Sequence, residues 1–103
     1  MSILESNLDS GVLILRLNRP EKHNCLNVDL LNALQLAFSD AAKTSSIRSV
    51  LLLGNGRSFC AGADINQLAE CNALTGYEFA RFGQGVMNQI EQLSKPVVAA
   101  LHG

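Results

Sequence analysis

The stretch "IRSVLLLG", Ile47 to Gly54, constrains this chain more than any other. It is short, continuously apolar at its centre, and stopped by Gly54-Asn55-Gly56. A run of this length without polar alternation reads as a strand buried on both faces. Such a strand needs cover, and the sequence on either side offers it. "NVDLLNALQLAFSDAAKT" reads as a helix with Leu30, Leu31, Leu34, Phe38 and Ala41 on one face, Asn27 as its N-cap and Asp29 in its first turn. "TGYEFARFGQGVMNQIEQLS" reads as a second long helix. Phe79, Phe82, Val86, Ile90 and Leu93 make its apolar stripe, Thr75 and Glu78 have capping-box spacing, and Lys95-Pro96 ends it.

"GVLILRLNRP" reads as a further strand, with "SILESNL" as a shorter partner joined through Asn7 to Gly11. "DINQLAE" is one or two helical turns, and "PVVAALHG" a closing strand. Strands and helices therefore alternate, which predicts an α/β fold in one small unit.

Composition narrows function mainly by exclusion. The chain has 103 residues, a formal charge of −1 and scattered Lys and Arg, so it lacks the basic patch that nucleic acid requires. Cys25, Cys60 and Cys71 are widely spaced and odd in number, which suggests neither a zinc site nor a disulfide framework and predicts reduced thiols in a cytoplasmic setting. No apolar run approaches the length of a membrane span, and the N-terminus lacks the pattern of a secretory signal. His23 and His102 are far apart with no evident Ser or Cys partner, so neither a triad nor a metal site is expected.

Two stretches are candidates for chemistry. After Gly54-Asn55-Gly56 a dinucleotide fingerprint would need glycine where Phe59 stands, and a P-loop would need a lysine that does not follow, so that element reads as a tight turn. In "SFCAGADI", Gly62 allows a backbone conformation closed to other residues, and Ala61 and Ala63 keep side chains out of the way. If Asp64 opens a helical turn, amide N–H groups near Ala63 point outward and suit a developing oxyanion. The same residues also suit a strand-to-helix turn with no ligand. Cys60 reads as a small buried apolar residue rather than a nucleophile. "LNRPEKHNCLN" is a polar loop in which Arg19, Lys22 and His23 are candidates for phosphate; a solvated basic loop is the alternative.

Taken together, "LNRPEKHNCLN", "VLLLGNGRSFCAGADI" and "KPVVAALHG", in this order, resemble the opening part of the enoyl-CoA hydratase/isomerase (crotonase) family, from about Gly11 to Gly103. The resemblance implies a superhelix of ββα units, of which residues 1–103 are the N-terminal portion, in a protein that assembles as a trimer or hexamer. It implies a coenzyme A thioester as substrate, with no tightly bound cofactor and no metal. Ala63 would donate one of two backbone N–H groups to the thioester oxygen as an enolate forms. Ala61, Asp64, Ile65 and Asn66 would line the adenine and pantetheine pocket, and Lys22, His23 and Cys25 would flank the CoA from the first loop. Cys25 stands where the family usually has alanine.

The second oxyanion donor and the two glutamates of the hydratases would lie beyond Gly103; Glu70, Glu78 and Glu91 do not match them. The expectation is therefore an inactive piece of an enzyme that hydrates a 2-enoyl-CoA in fatty-acid or related acyl-CoA metabolism. The alternatives are another family reaction (isomerisation, thioester hydrolysis, decarboxylation) or a non-catalytic CoA-binding or assembly module.

Overall fold

A computed structural model describes residues 2–103. Its elements run β1 (Leu4–Asp9), β2 (Val12–Leu17), a 3-10 turn (Pro20–Lys22), α1 (Val28–Lys43), β3 (Ser49–Gly54), α2 (Ile65–Ala69), α3 (Ala73–Gln92) and β4 (Val97–Ala99). The four strands form one sheet in the order β1-β2-β3-β4. β1 and β2 are antiparallel, while β3 and then β4 add in parallel. The α/β expectation holds, and the first three regular elements make a ββα unit.

β1 and β2 are equal in length, six residues each, so β1 is not the shorter partner the sequence suggested, and it is shifted to end at Asp9. Their loop is only Ser10-Gly11, at φ 52° and 84°. Positive φ at both central residues gives the turn whose twist suits a hairpin.

α1 lies over one face of the sheet. Leu13, Leu15 and Leu17 of β2 and Val50 and Leu52 of β3 are buried against Leu30, Leu31, Leu34, Phe38 and Ala41. All five helix positions expected from the periodicity are in this core. Asn27 caps α1, its side chain accepting from the Leu30 N–H at 2.9 Å. The far end is closed by Lys95, whose Nζ donates to the carbonyls of Ala41 at 2.5 Å and Thr44 at 2.8 Å.

Three expectations are corrected. β3 is buried on one face only: Val50 and Leu52 are covered, while Leu51 and Leu53 are half-exposed. Both helices pack on the same side, so the row Ile14–Leu51–Val98 on the other side is open. α3 starts earlier than the Thr75–Glu78 spacing implied. Asn72 is its N-cap and Thr75 the reciprocal partner, with both bonds at 2.9 Å. The earlier Asn wins because Ala73 and Leu74 extend the helix without penalty. β4 is three residues long rather than the whole of "PVVAALHG". β3 ends at Gly54, and Phe59 donates its N–H to the His102 carbonyl at 3.1 Å, so the end of the chain runs along the 55–59 loop instead.

Candidate functional site

In a parallel sheet the loops leaving the strand C-termini gather at one end, where ligands of α/β proteins bind. Here the gathered loops are 18–27, after β2, and 55–64, after β3. Gly54 makes the second loop possible, because a Cβ there would sit 2.5 Å from the Phe59 carbonyl oxygen. The loops are joined backbone to backbone. Ala61 donates its N–H to His23 O at 3.0 Å, Leu26 to Gly62 O at 2.7 Å, and Asp64 to Leu26 O at 2.9 Å. The last two bonds make a parallel bridge between Leu26 and Ala63. In such a bridge the N–H of the paired residue faces away from its partner. Accordingly, the Ala63 N–H has no acceptor among the described residues, and Ala63 is exposed. Gly62, at φ 114°, sets this direction.

Side chains lock the same loops. Asn24 is fully buried in a left-handed conformation. Its Oδ1 accepts from the Arg19 N–H at 2.7 Å, and its Nδ2 donates to the carbonyls of Asn55 at 2.9 Å and Ser58 at 2.8 Å. Arg19 donates to the Cys25 carbonyl and pairs with Asp64 at 2.9 Å. Asp64 also caps α2, accepting from the N–H groups of Asn66 at 2.8 Å and Gln67 at 3.1 Å. The Arg19 hydrogen bond, helped by these backbone donors, holds the Asp64 carboxyl below its ordinary value of 3.8.

Arg19 is therefore not a phosphate ligand, as the sequence suggested; it is spent inside the loop. The Asn66 and Gln67 N–H groups at the start of α2 are likewise taken by Asp64, whereas the Ala63 N–H, before the helix, has no acceptor among the described residues. His23 does have a serine neighbour that the sequence did not reveal: Nδ1 lies 3.2 Å from Ser58 Oγ, both groups exposed. Cys60 is half-buried, and burial pushes its thiol above the ordinary value, which agrees with an inert packing role at rest.

The loops enclose a cleft of about 360 Å³ lined by Glu21, Lys22, His23, Cys25, Asp64, Ile65 and Asn66. Six expected residues thus share one wall; Ala61 and Ala63 belong to the adjoining stretch instead of the lining. Glu21 was not anticipated, and nothing in its sequence context marks it. Asn24 was also missed, although Asn is among the few side chains at ease in the left-handed region. A larger cleft of about 480 Å³ lies at the other end of α1 and α3, floored by Phe38 and Leu93, with Lys43 its one charged residue. It is remote from the loops and has no converging charged groups, so the smaller cleft is the better candidate.

The family model for enoyl-CoA hydratase/isomerase matches residues 12–103. The chain belongs to this family. Among curated relatives, this family member is 38% identical to the short-chain-enoyl-CoA hydratase of Clostridium acetobutylicum, over 92% of this chain and 37% of that protein. It is 31% identical to a peroxisomal Delta(3,5)-Delta(2,4)-dienoyl-CoA isomerase of Arabidopsis thaliana, over 100% of this chain and 41% of that protein. The crystal structure of an enoyl-CoA hydratase from Mycobacterium smegmatis superposes with a TM-score of 0.96 at 36% identity, covering 100% of this chain and 41% of that one. The family member described here thus spans about two-fifths of the length of the relatives it matches. Among its described residues, no helix is long and apolar enough to cross a membrane.

Proposed function

We propose that this chain forms the acyl-CoA-binding part of an enoyl-CoA hydratase/isomerase site, with the Ala63 N–H as one oxyanion donor. The observation that carries the reading is that N–H: unpaired, exposed, fixed by the Leu26 bridge, and next to the residues of the cleft. A thioester carbonyl placed there would gain negative charge as an enolate forms, and a fixed donor stabilises that charge without reorganising. Lys22 is exposed at the rim and its ammonium group has no hydrogen-bond partner among the described residues, which suits a phosphate of the CoA. Ala61 leaves its own side of the backbone open for the bound chain, and Ile65, 78% exposed, offers apolar contact.

The reaction we favour is hydration of a 2-enoyl-CoA, in which water gives its oxygen to C3 and a proton to C2. Isomerisation through the same enolate is the second reading, favoured by the isomerase among the relatives. Neither reading uses Glu70, just after α2, or Glu78 and Glu91 on α3, all of which are exposed. The test is Ala63→Pro in the full-length protein, which deletes the N–H. Turnover of a 2-enoyl-CoA should fall by about 10²–10³ with the melting curve and circular dichroism unchanged. Ala63→Gly keeps the N–H and should be far milder. A folded proline variant with near-normal kcat would remove Ala63 from the site.

A further inference from the structure

The Ala63 N–H is the outer end of a chain of hydrogen-bonded groups that begins at a charge. Ala63 N and Gly62 O belong to one peptide unit. No cis peptide bond occurs among the described residues, so these two atoms face opposite ways. The inner end, Gly62 O, accepts from the Leu26 N–H at 2.7 Å. Leu26 N in turn shares a peptide unit with the Cys25 carbonyl, and that carbonyl accepts from Arg19 Nη1. The other arm of the guanidinium is anchored, with Nη2 donating to Asp64 Oδ2 at 2.9 Å. Asp64 is held in its turn, because Oδ1 accepts from the N–H groups of Asn66 and Gln67. Guanidinium, first peptide, second peptide and free N–H therefore stand head to tail, every donor facing the same way along the chain. The Arg19 and Asp64 side chains are only 13% and 9% exposed, so water screens the start of this chain little. The Arg19–Asp64 pair by itself would tie the two loops; the arm on the Cys25 carbonyl adds a connection to the donor.

We propose that Arg19 is a positioning residue for the reaction, which aligns and polarises the Ala63 N–H through the Cys25–Leu26 and Gly62–Ala63 peptides. A cation donating to the Cys25 oxygen draws electron density toward it and makes the Leu26 N–H a stronger donor. Leu26 does the same to Gly62 O, and the Ala63 N–H ends with more positive charge. Hydrogen bonds in series strengthen one another by about 10–30% each. The gain is small on a neutral thioester oxygen and larger on an enolate oxygen, so it is realised in turnover more than in binding. This inference deepens the proposed function and rests on Ala63 being a donor.

The test uses the full-length protein and two readouts. The first is the split between kcat and KM for crotonyl-CoA. In Arg19→Gln, kcat should fall roughly 3- to 10-fold, a fraction of what deleting a donor costs, while KM stays within about twofold. A merely structural loss would loosen the cleft residues Lys22, Asp64 and Ile65 and raise KM instead. The second readout is the infrared stretch of an isotope-labelled thioester carbonyl in bound butyryl-CoA, which has no double bond to hydrate or move. Binding to the wild type should lower that frequency, and Arg19→Gln should lose part of the shift. Arg19→Lys keeps the charge but replaces the two-armed fork by one ammonium, so its shift should lie between the two. If Arg19→Gln does not fold, Arg19→Lys decides. A folded variant with the wild-type carbonyl shift and kcat, or with a loss confined to KM, would overturn the proposal. If Ala63→Pro still abolishes turnover in that case, the donor stands and only the role of Arg19 falls. If Ala63→Pro is also without effect, both readings fall.

Discussion

Phe38 and Asn24 are equally buried, and their surroundings are opposite. Phe38 lies in a shell of Leu, Val and Ala between α1 and the sheet. Asn24 sits among backbone groups of two loops and answers three of them. The first environment asks for apolar volume, and several residues can supply that. The second asks for one acceptor and two donors in fixed directions, and only an amide of this length supplies them. The core can thus vary without losing the fold, whereas the loop end depends on individual polar atoms.

The largest expected effect is on the core side. Phe38→Ala should cost about 3–5 kcal/mol in urea unfolding, and Phe38→Leu clearly less, because volume is what the site needs. If both cost the same, the contrast fails. Next is Asn24→Ala, which strands an N–H and two carbonyls and should cost about 1–3 kcal/mol. Asn24→Asp keeps the acceptor but loses both donors, so it should do no better. If instead it restores wild-type stability, the loop is not read atom by atom.

The smallest effect is the dependence on pH. Asp64 is held below its ordinary value of 3.8 by Arg19 and by the start of α2. A carboxylate lowered on folding stabilises above the unfolded value, and that contribution is lost as pH falls through the folded one. The stability difference between wild type and Asp64→Asn should therefore be level near neutrality and shrink below 3.8. The deficit of Phe38→Ala has no such titration and should stay flat over the same range. Urea midpoints taken across the acid range check both; parallel curves would contradict the ion-pair account.

This contrast also explains what could be read in advance. Leu30, Leu31, Leu34, Phe38 and Ala41 repeat with the helical period, so the core face of α1 was legible from the sequence. The second face of β3 was misread because an apolar run announces the need for cover but not whether the chain in hand provides it. Of the cleft residues, Lys22 and His23 stood out in a polar loop and Asp64 as the start of a helical turn, but Cys25, Ile65 and Asn66 were named through family resemblance alone, and no periodicity would have found them. Arg19 was assigned to phosphate because its true partner, Asp64, is 45 positions away in the chain. Polar pairing over that distance leaves no local pattern.

The Ser10-Gly11 turn bears on the order in which the chain folds. Gly11 O accepts the N–H groups of Arg48 at 2.7 Å and Ser49 at 3.3 Å, and the Arg48 guanidinium donates to Ser10 O at 3.1 Å. The hairpin can close within its own short loop, while those bonds must wait until β3 has returned across α1. Early hairpin formation therefore carries an unclamped turn, and the start of β3 fixes it late. A side chain at Gly11 would meet Arg48 Nε at 2.6 Å, so its conflict with the guanidinium arises only at that last step. The φ of 84° is strained for any side chain as soon as the turn closes, so a substitution at Gly11 would slow refolding as well as speed unfolding.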